Sequence, residues 1–232
     1  MAGMRPLTKE EQGLVLAGLD RMRDRVLFLT GLYTGFRISE LLSLRVADVW
    51  KNDEPGRAVT VSRRHLKGGA GPHASRLQSR SIALHPMLRA AIATYLAPRF
   101  EGRPVDGLEV LFPSRKGRNQ PIRPGQAWHV IKQAAGRVGA ERVATHSLRK
   151  SFARSVYEST GHDLVVTQRA LGHRSILTTA RYLDASEPEV CAAVMAIEGP
   201  VLAGRAPTPV ATPTHAAISF GSMPPALNGL PI

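Results

Sequence analysis

Four separate segments of the sequence hold side chains that could act together on a phosphodiester. Transfer at phosphorus needs positive charge near the non-bridging oxygens, a nucleophile in line and an acid for the leaving oxygen. Arginine suits the first task, because its guanidinium group keeps its charge and can bind two oxygens at once. The side chains that fit these tasks are, in chain order, Arg37, Lys67, His146, Arg149, His173 and Tyr182.

The spacing of these residues adds to the argument. Residues 146–149 read His-Ser-Leu-Arg, so His146 and Arg149 lie on one face of a helix. Residues 171–173 read Leu-Gly-His, and Tyr182 follows nine residues later. The segment at 34–42 reads Thr-Gly-Phe-Arg-Ile-Ser-Glu-Leu-Leu, which places an acidic residue one helical turn after its arginine. A single H-x-x-R occurs by chance in many helices, whereas all six positions in this order are hard to obtain by accident.

In this order the segments resemble the tyrosine recombinase, or phage integrase, family, whose signature is Arg…Lys…His-x-x-Arg…His/Trp…Tyr. The resemblance covers about residues 5–197, and residues 145–183 are its most specific part. It implies the catalytic domain of that family, an α+β fold that is mainly α-helical with a small antiparallel β-sheet. It also implies a site-specific DNA recombinase or integrase, an enzyme of DNA integration and mobile elements.

The resemblance implies a role for each side chain. Arg37 and Arg149 would bind the scissile phosphate, and Tyr182 would attack it to form a 3′-phosphotyrosine bond and release a 5′ hydroxyl. A 5′ hydroxyl of the partner duplex would then attack that bond, so no metal, nucleotide or other cofactor is needed. His146 would move a proton to or from the tyrosine oxygen, and His173 would hydrogen-bond the phosphate.

Two further positions support this site. In the family, a lysine at the β-hairpin protonates the leaving 5′ oxygen, and Lys67 lies between two predicted strands. The nearby alternatives are Arg63, Arg64 and Arg76. Glu40 is similar to the family's supporting acidic residue, which implies that it orients an arginine or a histidine. The alternative for Glu40 is an ordinary ion pair on a helix surface.

The composition is typical of a soluble globular protein that binds nucleic acid. The sequence contains no run of 18 apolar residues, so no membrane-spanning helix is predicted. The net charge of +13 favours a polyanion as partner, and we expect double-stranded DNA. The single cysteine, Cys191, favours a reducing compartment, so we expect a cytoplasmic, nucleoid-associated protein of bacterial or phage origin. The sequence has neither a phosphate-binding loop motif nor a zinc motif.

Hydrophobic periodicity predicts helices interrupted by one small antiparallel sheet. Near the N-terminus, Thr8 and Glu11 form a capping-box pattern that predicts a helix to about Met22. Apolar positions predict four further helices, at 25–33, 37–44, 86–96 and 125–138, and β-branched residues predict strands at 58–61 and 81–84.

The C-terminal part of the pattern predicts three short helices, followed by a change in composition. Thr145, Asp163 and Ser175 are candidate N-caps of the three helices, the last of which carries Tyr182. Another helix is predicted at 187–197. Beyond it prolines are frequent and charges are rare, so we expect a catalytic domain at 1–198 and a disordered Pro/Ala-rich tail at 199–232.

Two other functions share parts of this pattern. A type IB topoisomerase uses the same tyrosine chemistry to relax supercoils, although the compact segment at 34–42 favours the integrase side. A non-catalytic remnant would bind DNA without cutting it, but no catalytic position is missing here. The resemblance implies a homotetramer on paired DNA sites. Its pattern begins near residue 7, so we expect no core-binding domain before it and consider an accessory protein as a further partner.

Overall fold

The computed structural model describes residues 4–62 and 79–180, together with positions 183 and 195. Contacts divide the chain into one unit at 1–185 and a second at 186–232. The tail predicted at 199–232 lies outside the described residues, and so does the helix predicted at 187–197 except for Met195. The helices and strands discussed below all belong to the first unit.

Within the described residues, the fold consists of nine helices and two small antiparallel hairpins. The helices are α1 (Lys9–Ala17), α2 (Met22–Thr34), α3 (Ile38–Leu42), α4 (Val46–Val49), α5 (Pro86–Phe100), α6 (Pro124–Arg137), α7 (Thr145–Ser159), α8 (Leu164–Leu171) and α9 (Ile176–Ala180). The strands are β1 (Trp50–Lys51), β2 (Glu54–Pro55), β3 (Ala58–Val61) and β4 (Arg80–Ala83), of which β1 pairs with β2 and β3 with β4. This mainly helical α+β fold confirms the predicted fold class.

The N-terminal capping box is confirmed by two reciprocal hydrogen bonds. The Glu11 amide donates to Oγ1 of Thr8, and the Thr8 amide donates to the Glu11 carboxylate. The helix ends at Ala17 rather than near Met22, because Gly18 occupies the C-cap and glycine is a poor helix former.

Helix α7 begins differently from the prediction. Thr145 was expected to be its N-cap residue, and this is wrong: Thr145 is the first helical residue and Ala144 is the N-cap. The Ala144 amide donates instead to Oγ of Ser147, at 3.2 Å. The hydroxyl of Ser147 therefore accepts from a backbone amide at the start of the helix that has no partner within the helix. The predicted cap of α8 is confirmed, since Asp163 accepts from two amides of the first turn.

The hairpin of β1 and β2 was not predicted. Each of its strands has two residues, which is too short to show an alternating pattern. Asn52 and Asp53 form its loop with φ angles of 52° and 60°. Two positive φ angles suit a two-residue hairpin, and asparagine and aspartate tolerate them better than most residues do.

Helix α2 is the central element of the core, because it packs against both α5 and α7. Its side toward α5 belongs to an apolar cluster that includes Leu88, Ile92 and Leu96. Phe28, on the other side, belongs to a second cluster with Leu148 of α7. This packing holds the C-terminal end of α2 beside the helix that carries the H-x-x-R motif.

The end of α2 passes very close to α7 at Gly35. This residue is the C-cap of α2 and has a φ of 58°. A Cβ atom at Gly35 would lie 2.2 Å from Cδ1 of Phe152. Both the backbone conformation and the close approach therefore require glycine at this position.

We expect Gly35→Ala to lower the free energy of unfolding by about 1–3 kcal/mol more than Gly139→Ala does. Both residues have positive φ angles, 58° and 70°, so both variants bear a similar backbone penalty. A Cβ at Gly139 meets no atom within 4 Å, whereas one at Gly35 overlaps Phe152. Urea unfolding followed by circular dichroism measures the difference, and equal losses in the two variants would contradict the packing argument.

Candidate active site

Arg37 and Glu40 form a closed pair at the start of helix α3. Arg37 is the N-cap residue, and its amide donates to Oε2 of Glu40 at 2.8 Å. Its Nη1 atom donates to Oε1 of the same carboxylate at 2.8 Å. The Glu40 side chain is fully buried, whereas that of Arg37 is 35% exposed. A buried carboxylate therefore holds an arginine that is partly open to solvent, unlike an ion pair on a helix surface.

Arg149 of helix α7 is almost completely buried, with 1% of its surface exposed. Its Nη1 atom donates to the carbonyl oxygen of Gly35, and its Nη2 atom donates to that of Leu171 at 2.8 Å. The same Nη2 atom lies 2.9 Å from Nε2 of His173. Arg149 thus joins the turn after α2 to the turn after α8.

His173 is held by hydrogen bonds at both ring nitrogens. It follows Gly172, whose φ of 64° ends helix α8 as predicted. Because a guanidinium group only donates, Nε2 of His173 accepts from Arg149 and the ring proton lies on Nδ1. Nδ1 then donates to Oγ1 of the buried Thr179, 3.0 Å away. Burial and three nearby arginines lower the pKa of His173 to about 4, so the ring is neutral at neutral pH.

His146 lies in the first turn of α7, and its side chain is exposed. Partial burial of the ring and the positive charges of Lys150, Arg149 and Arg37 lower its pKa. The neutral form is therefore favoured, and a neutral imidazole at the surface can accept a proton.

Arg80, the first residue of β4, is a buried cation of this site that the sequence analysis missed. Its Nη2 atom donates to the carbonyl oxygen of Thr34, and its Nη1 atom lies 3.8 Å from Oε2 of Glu40. The guanidinium group lies over Phe36, 4.7 Å from the ring centre. Burial and the neighbouring arginines lower the pKa of Arg80 to about 9 against the effect of Glu40, so it is charged at neutral pH.

The strand pattern contained a signal for Arg80, but no pattern pointed to Thr179. Side chains alternate between the two faces of a strand, so Arg80 shares a face with Ile82. That face is the more buried one in β4, and an arginine in such a position needs a partner. Thr179 follows another threonine, and nothing in the sequence distinguishes the buried hydroxyl from the exposed one.

The site has more positive than negative charge. Arg37, Arg80 and Arg149 lie near one another, and each lowers the pKa of His173. Within the described residues, Glu40 is the carboxylate that contacts this group, through Arg37 and Arg80. These positive surroundings contribute to the lowered pKa of both His146 and His173. Buried charges are costly unless they are paired, so this arrangement favours the binding of an anion.

The structure thus brings together five of the seven predicted site residues, namely Arg37, Glu40, His146, Arg149 and His173. Lys67 and Tyr182 lie outside the described residues. Across the described ranges, no three His, Cys, Asp or Glu side chains come together as a metal site requires. In the same part of the chain, no helix is both long and apolar enough to cross a bilayer.

Sequence comparison places this chain in a known family. The pattern of the phage integrase family matches residues 7–189, which is most of the chain. The chain belongs to the phage integrase family, and the predicted resemblance is confirmed.

Two relatives illustrate the degree of similarity. Tyrosine recombinase XerA of Pyrococcus furiosus is 33% identical over 178 residues, which are 76% of this chain and 56% of the relative. Probable integrase/recombinase YoeC of Bacillus subtilis is 30% identical over 177 residues, which are 76% of this chain and 86% of the relative. The chain therefore spans little more than half the length of this XerA and most of the length of YoeC.

Solved structures share the fold. The crystal structure of XerA recombinase aligns with a TM-score of 0.64 at 22% identity, over 84% of this chain and 65% of that chain. XerH site-specific recombinase, in a post-cleavage complex with palindromic difH substrate, aligns with a TM-score of 0.62 at 25% identity, over 84% of this chain and 54% of that chain.

We expect the stability of the protein to fall as the pH is lowered from about 6.5 to 4, in part because of His173. Folding lowers the pKa of this imidazole from 6.5 to about 4. In this window the unfolded state binds the proton and the folded state does not, so stability increases with pH. The slope from one such group is at most about 1.4 kcal/mol per pH unit, and the contribution is constant above the window.

His173→Gln isolates this contribution, because glutamine does not titrate and its amide oxygen can still accept from Arg149. Urea unfolding at pH 7 and pH 4.5 should show a larger loss in the wild-type protein than in the variant. All other titrating groups, including His146, are common to both proteins. The same loss in both would mean that His173 is not held neutral by the fold.

Proposed function

We propose that this chain is a site-specific DNA recombinase that cleaves and rejoins strands through a 3′-phosphotyrosine bond at Tyr182, without metal or nucleotide. The observation that carries the proposal is a group of three neighbouring arginines, two of which contact one buried carboxylate, in a chain of the phage integrase family. Such a group suits one phosphate, whose charge increases on its non-bridging oxygens during transfer.

Arg37 and Arg149 are the proposed phosphate ligands, and their surroundings support different parts in this task. Arg37 is partly exposed and is bound on its protein side by the buried Glu40, so its guanidinium group is accessible to a phosphate from solvent. Arg149 is buried and tied to two carbonyl oxygens, so its position is set before DNA binds. A preorganised cation in a site shielded from water stabilises developing charge more strongly than a mobile one does.

The proposed reaction keeps the phosphodiester energy in a covalent bond. Oη of Tyr182 attacks phosphorus, the bond from phosphorus to the 5′ oxygen breaks, and that oxygen leaves as a 5′ hydroxyl after protonation. His146 accepts the phenol proton, since the lowered pKa of its ring keeps it in the neutral form that has a free lone pair. Lys67 supplies the proton to the leaving oxygen, and His173 contributes to phosphate binding. A 5′ hydroxyl of the partner duplex reverses these steps, which requires neither ATP nor a metal ion.

Double-stranded DNA is the proposed partner. The chain carries a net charge of +13, and the XerH structure that shares its fold is a complex with a difH substrate. Strand exchange between two duplexes needs a tyrosine for each of four strands, so we propose a homotetramer on paired sites, with an accessory protein as an additional partner. We further propose that residues 1–198 form the catalytic domain, that 199–232 form a separate tail, and that the protein acts on the nucleoid in the cytoplasm.

Replacement of either proposed phosphate ligand, Arg37 or Arg149, by lysine should slow cleavage much more than it weakens DNA binding. An ammonium group cannot bind two oxygens in the way that a guanidinium group does, so transition-state stabilisation is lost. We expect Arg37→Lys and Arg149→Lys each to lower the single-turnover cleavage rate by about 100-fold or more, with DNA affinity changed by less than about tenfold.

Arg99→Lys is the matched control for this experiment. Arg99 is also partly buried, with 18% of its side chain exposed, and it is paired with Glu109 away from the site. Its variant should cleave at the wild-type rate. Near-normal cleavage by both Arg37→Lys and Arg149→Lys would show that these two residues do not bind the scissile phosphate.

Tyr182→Phe should abolish the covalent protein–DNA adduct and leave DNA binding largely unchanged, because only the hydroxyl is lost. The assay uses nicked suicide duplexes made from the DNA that flanks the coding region, in excess EDTA and without nucleotide, with adducts resolved by denaturing electrophoresis. Tyr157→Phe is the control, since this tyrosine lies in α7 against His162.

Two outcomes of this assay would overturn the proposal. An adduct with Tyr182→Phe at the wild-type rate would exclude Tyr182 as the nucleophile. A wild-type adduct that EDTA prevents and magnesium restores would exclude the metal-independent reaction.

A parallel assay with supercoiled plasmid that lacks paired sites tests the topoisomerase alternative. Efficient relaxation of this plasmid would favour the topoisomerase function.

A further inference from the structure

Arg80 occupies a position that is costly for a cation. Its side chain is 8% exposed, and within the described residues its Nε and Nη1 atoms are buried and make no hydrogen bond. Its nearest acidic partner, Glu40, lies 3.8 Å away and already binds Arg37. A buried donor that is not satisfied costs about 1–3 kcal/mol, and more when it is charged. A neutral side chain would avoid this cost, so the charge requires an explanation beyond packing.

The contacts of Arg80 reach both ends of the turn that carries Arg37. Its Nη2 atom donates to the Thr34 carbonyl oxygen at the end of α2, and its Nη1 atom faces Glu40 in α3. Phe36, between them, lies under the guanidinium group. Glu40 is therefore held between Arg37 on one side and Arg80 on the other.

Arg80 also touches the other half of the site. Its aliphatic stem packs on Gly172, where a Cβ atom would lie 3.1 Å from Cδ of Arg80. Gly172 precedes His173, which accepts from Arg149. The strand that begins at Arg80 thereby supports the turn of Arg37 and the turn of His173 at once.

We propose that Arg80 is a positioning residue of the phosphate site, which holds the Arg37–Glu40 pair against the Gly172–His173 turn and supplies a third positive charge for the anion. The inference rests on the proposed function, which it deepens. The positive charge of Arg80 and its two buried donors, which make no hydrogen bond within the described residues, both favour a bound phosphate. Arg37 and Arg149 are the groups proposed to contact that phosphate. A purely structural arginine would support the fold without any effect on the anion or on the reaction rate.

The first test measures anion binding without any reaction. The probe is inorganic phosphate, added to the full chain during thermal unfolding, with sodium chloride at matched ionic strength as the salt control. A ligand that binds the folded state raises the melting temperature. We expect phosphate to raise that of the wild-type protein, and to raise that of Arg80→Gln by half as much or less. Arg80→Lys keeps the charge but not the planar guanidinium group, so its rise in melting temperature should lie between those of the wild-type protein and Arg80→Gln.

Arg23→Gln and Arg23→Lys are the matched controls. Arg23 is also a largely buried arginine, with 11% of its side chain exposed. It also combines a carboxylate partner, Asp24, with a backbone carbonyl partner, that of Pro113. These variants should lose stability to a similar extent and keep the full response to phosphate. A full response in both Arg80 variants, or no response in the wild-type protein, would overturn the inference.

The second test asks whether Arg80 acts through Glu40. Single-turnover cleavage at saturating DNA is measured for Arg80→Lys, Glu40→Gln and the double variant, after active-site titration corrects for unfolded protein. We expect Arg80→Lys to lower the rate at least about tenfold in the wild-type background and distinctly less in the Glu40→Gln background, because residues that share one contact are not additive. Equal losses in both backgrounds, or a wild-type rate in Arg80→Lys, would overturn the positioning role.

The two tests separate this inference from the proposed function. If wild-type protein forms no DNA adduct but its phosphate response depends on Arg80, the recombinase proposal fails and the assignment of Arg80 to the anion site holds. If the adduct forms and neither measurement responds to Arg80, the recombinase proposal holds and the inference is wrong.

Discussion

The burial of the Glu40 carboxylate is the constraint on which the site depends. A fully buried carboxylate must be compensated by hydrogen bonds and positive charge, and Glu40 receives the amide and the guanidinium group of Arg37 and the nearby charge of Arg80. These contacts determine where the two arginines lie. They also leave the outer part of Arg37 free to face solvent, because the carboxylate binds it from the protein side.

The scaffold around this carboxylate is built from close approaches of the backbone. Helix α2 ends at Gly35 against Phe152, which lets the Gly35 carbonyl reach Arg149 of α7. At the other side, Gly172 ends α8 and leaves room for the stem of Arg80. The first approach excludes a Cβ atom, and in the second a Cβ atom would lie 3.1 Å from Cδ of Arg80, so the two glycines allow the arginines to lie close to these turns. The result is a concentration of positive charge that the fold maintains at the expense of its own stability.

The neutrality of the histidines follows from the same concentration of charge. Burial and the arginines disfavour a further positive charge on His173 or His146, so the pKa of both rings is lowered, and His173 is neutral at a pH at which an isolated histidine would be partly protonated. A neutral His173 can accept from Arg149 and donate to Thr179, which links the α7 arginine to the short helix α9. Protonation of this ring would break the first of these bonds.

The sequence by itself determined the family and the helical character of the fold, because the motif residues are close in the chain or have a fixed order; the same motifs supplied the proposed site residues. Capping residues likewise predicted the start of α1, and Asp163 and Gly172 predicted both ends of α8, since these are local properties of the backbone. Only the tertiary structure decided that Glu40 is buried, that Arg80 joins the site and that Thr179 holds His173. Burial and long-range contacts depend on how distant elements pack: Arg80 of β4 meets Glu40 of α3, and Thr179 of α9 meets the ring of His173.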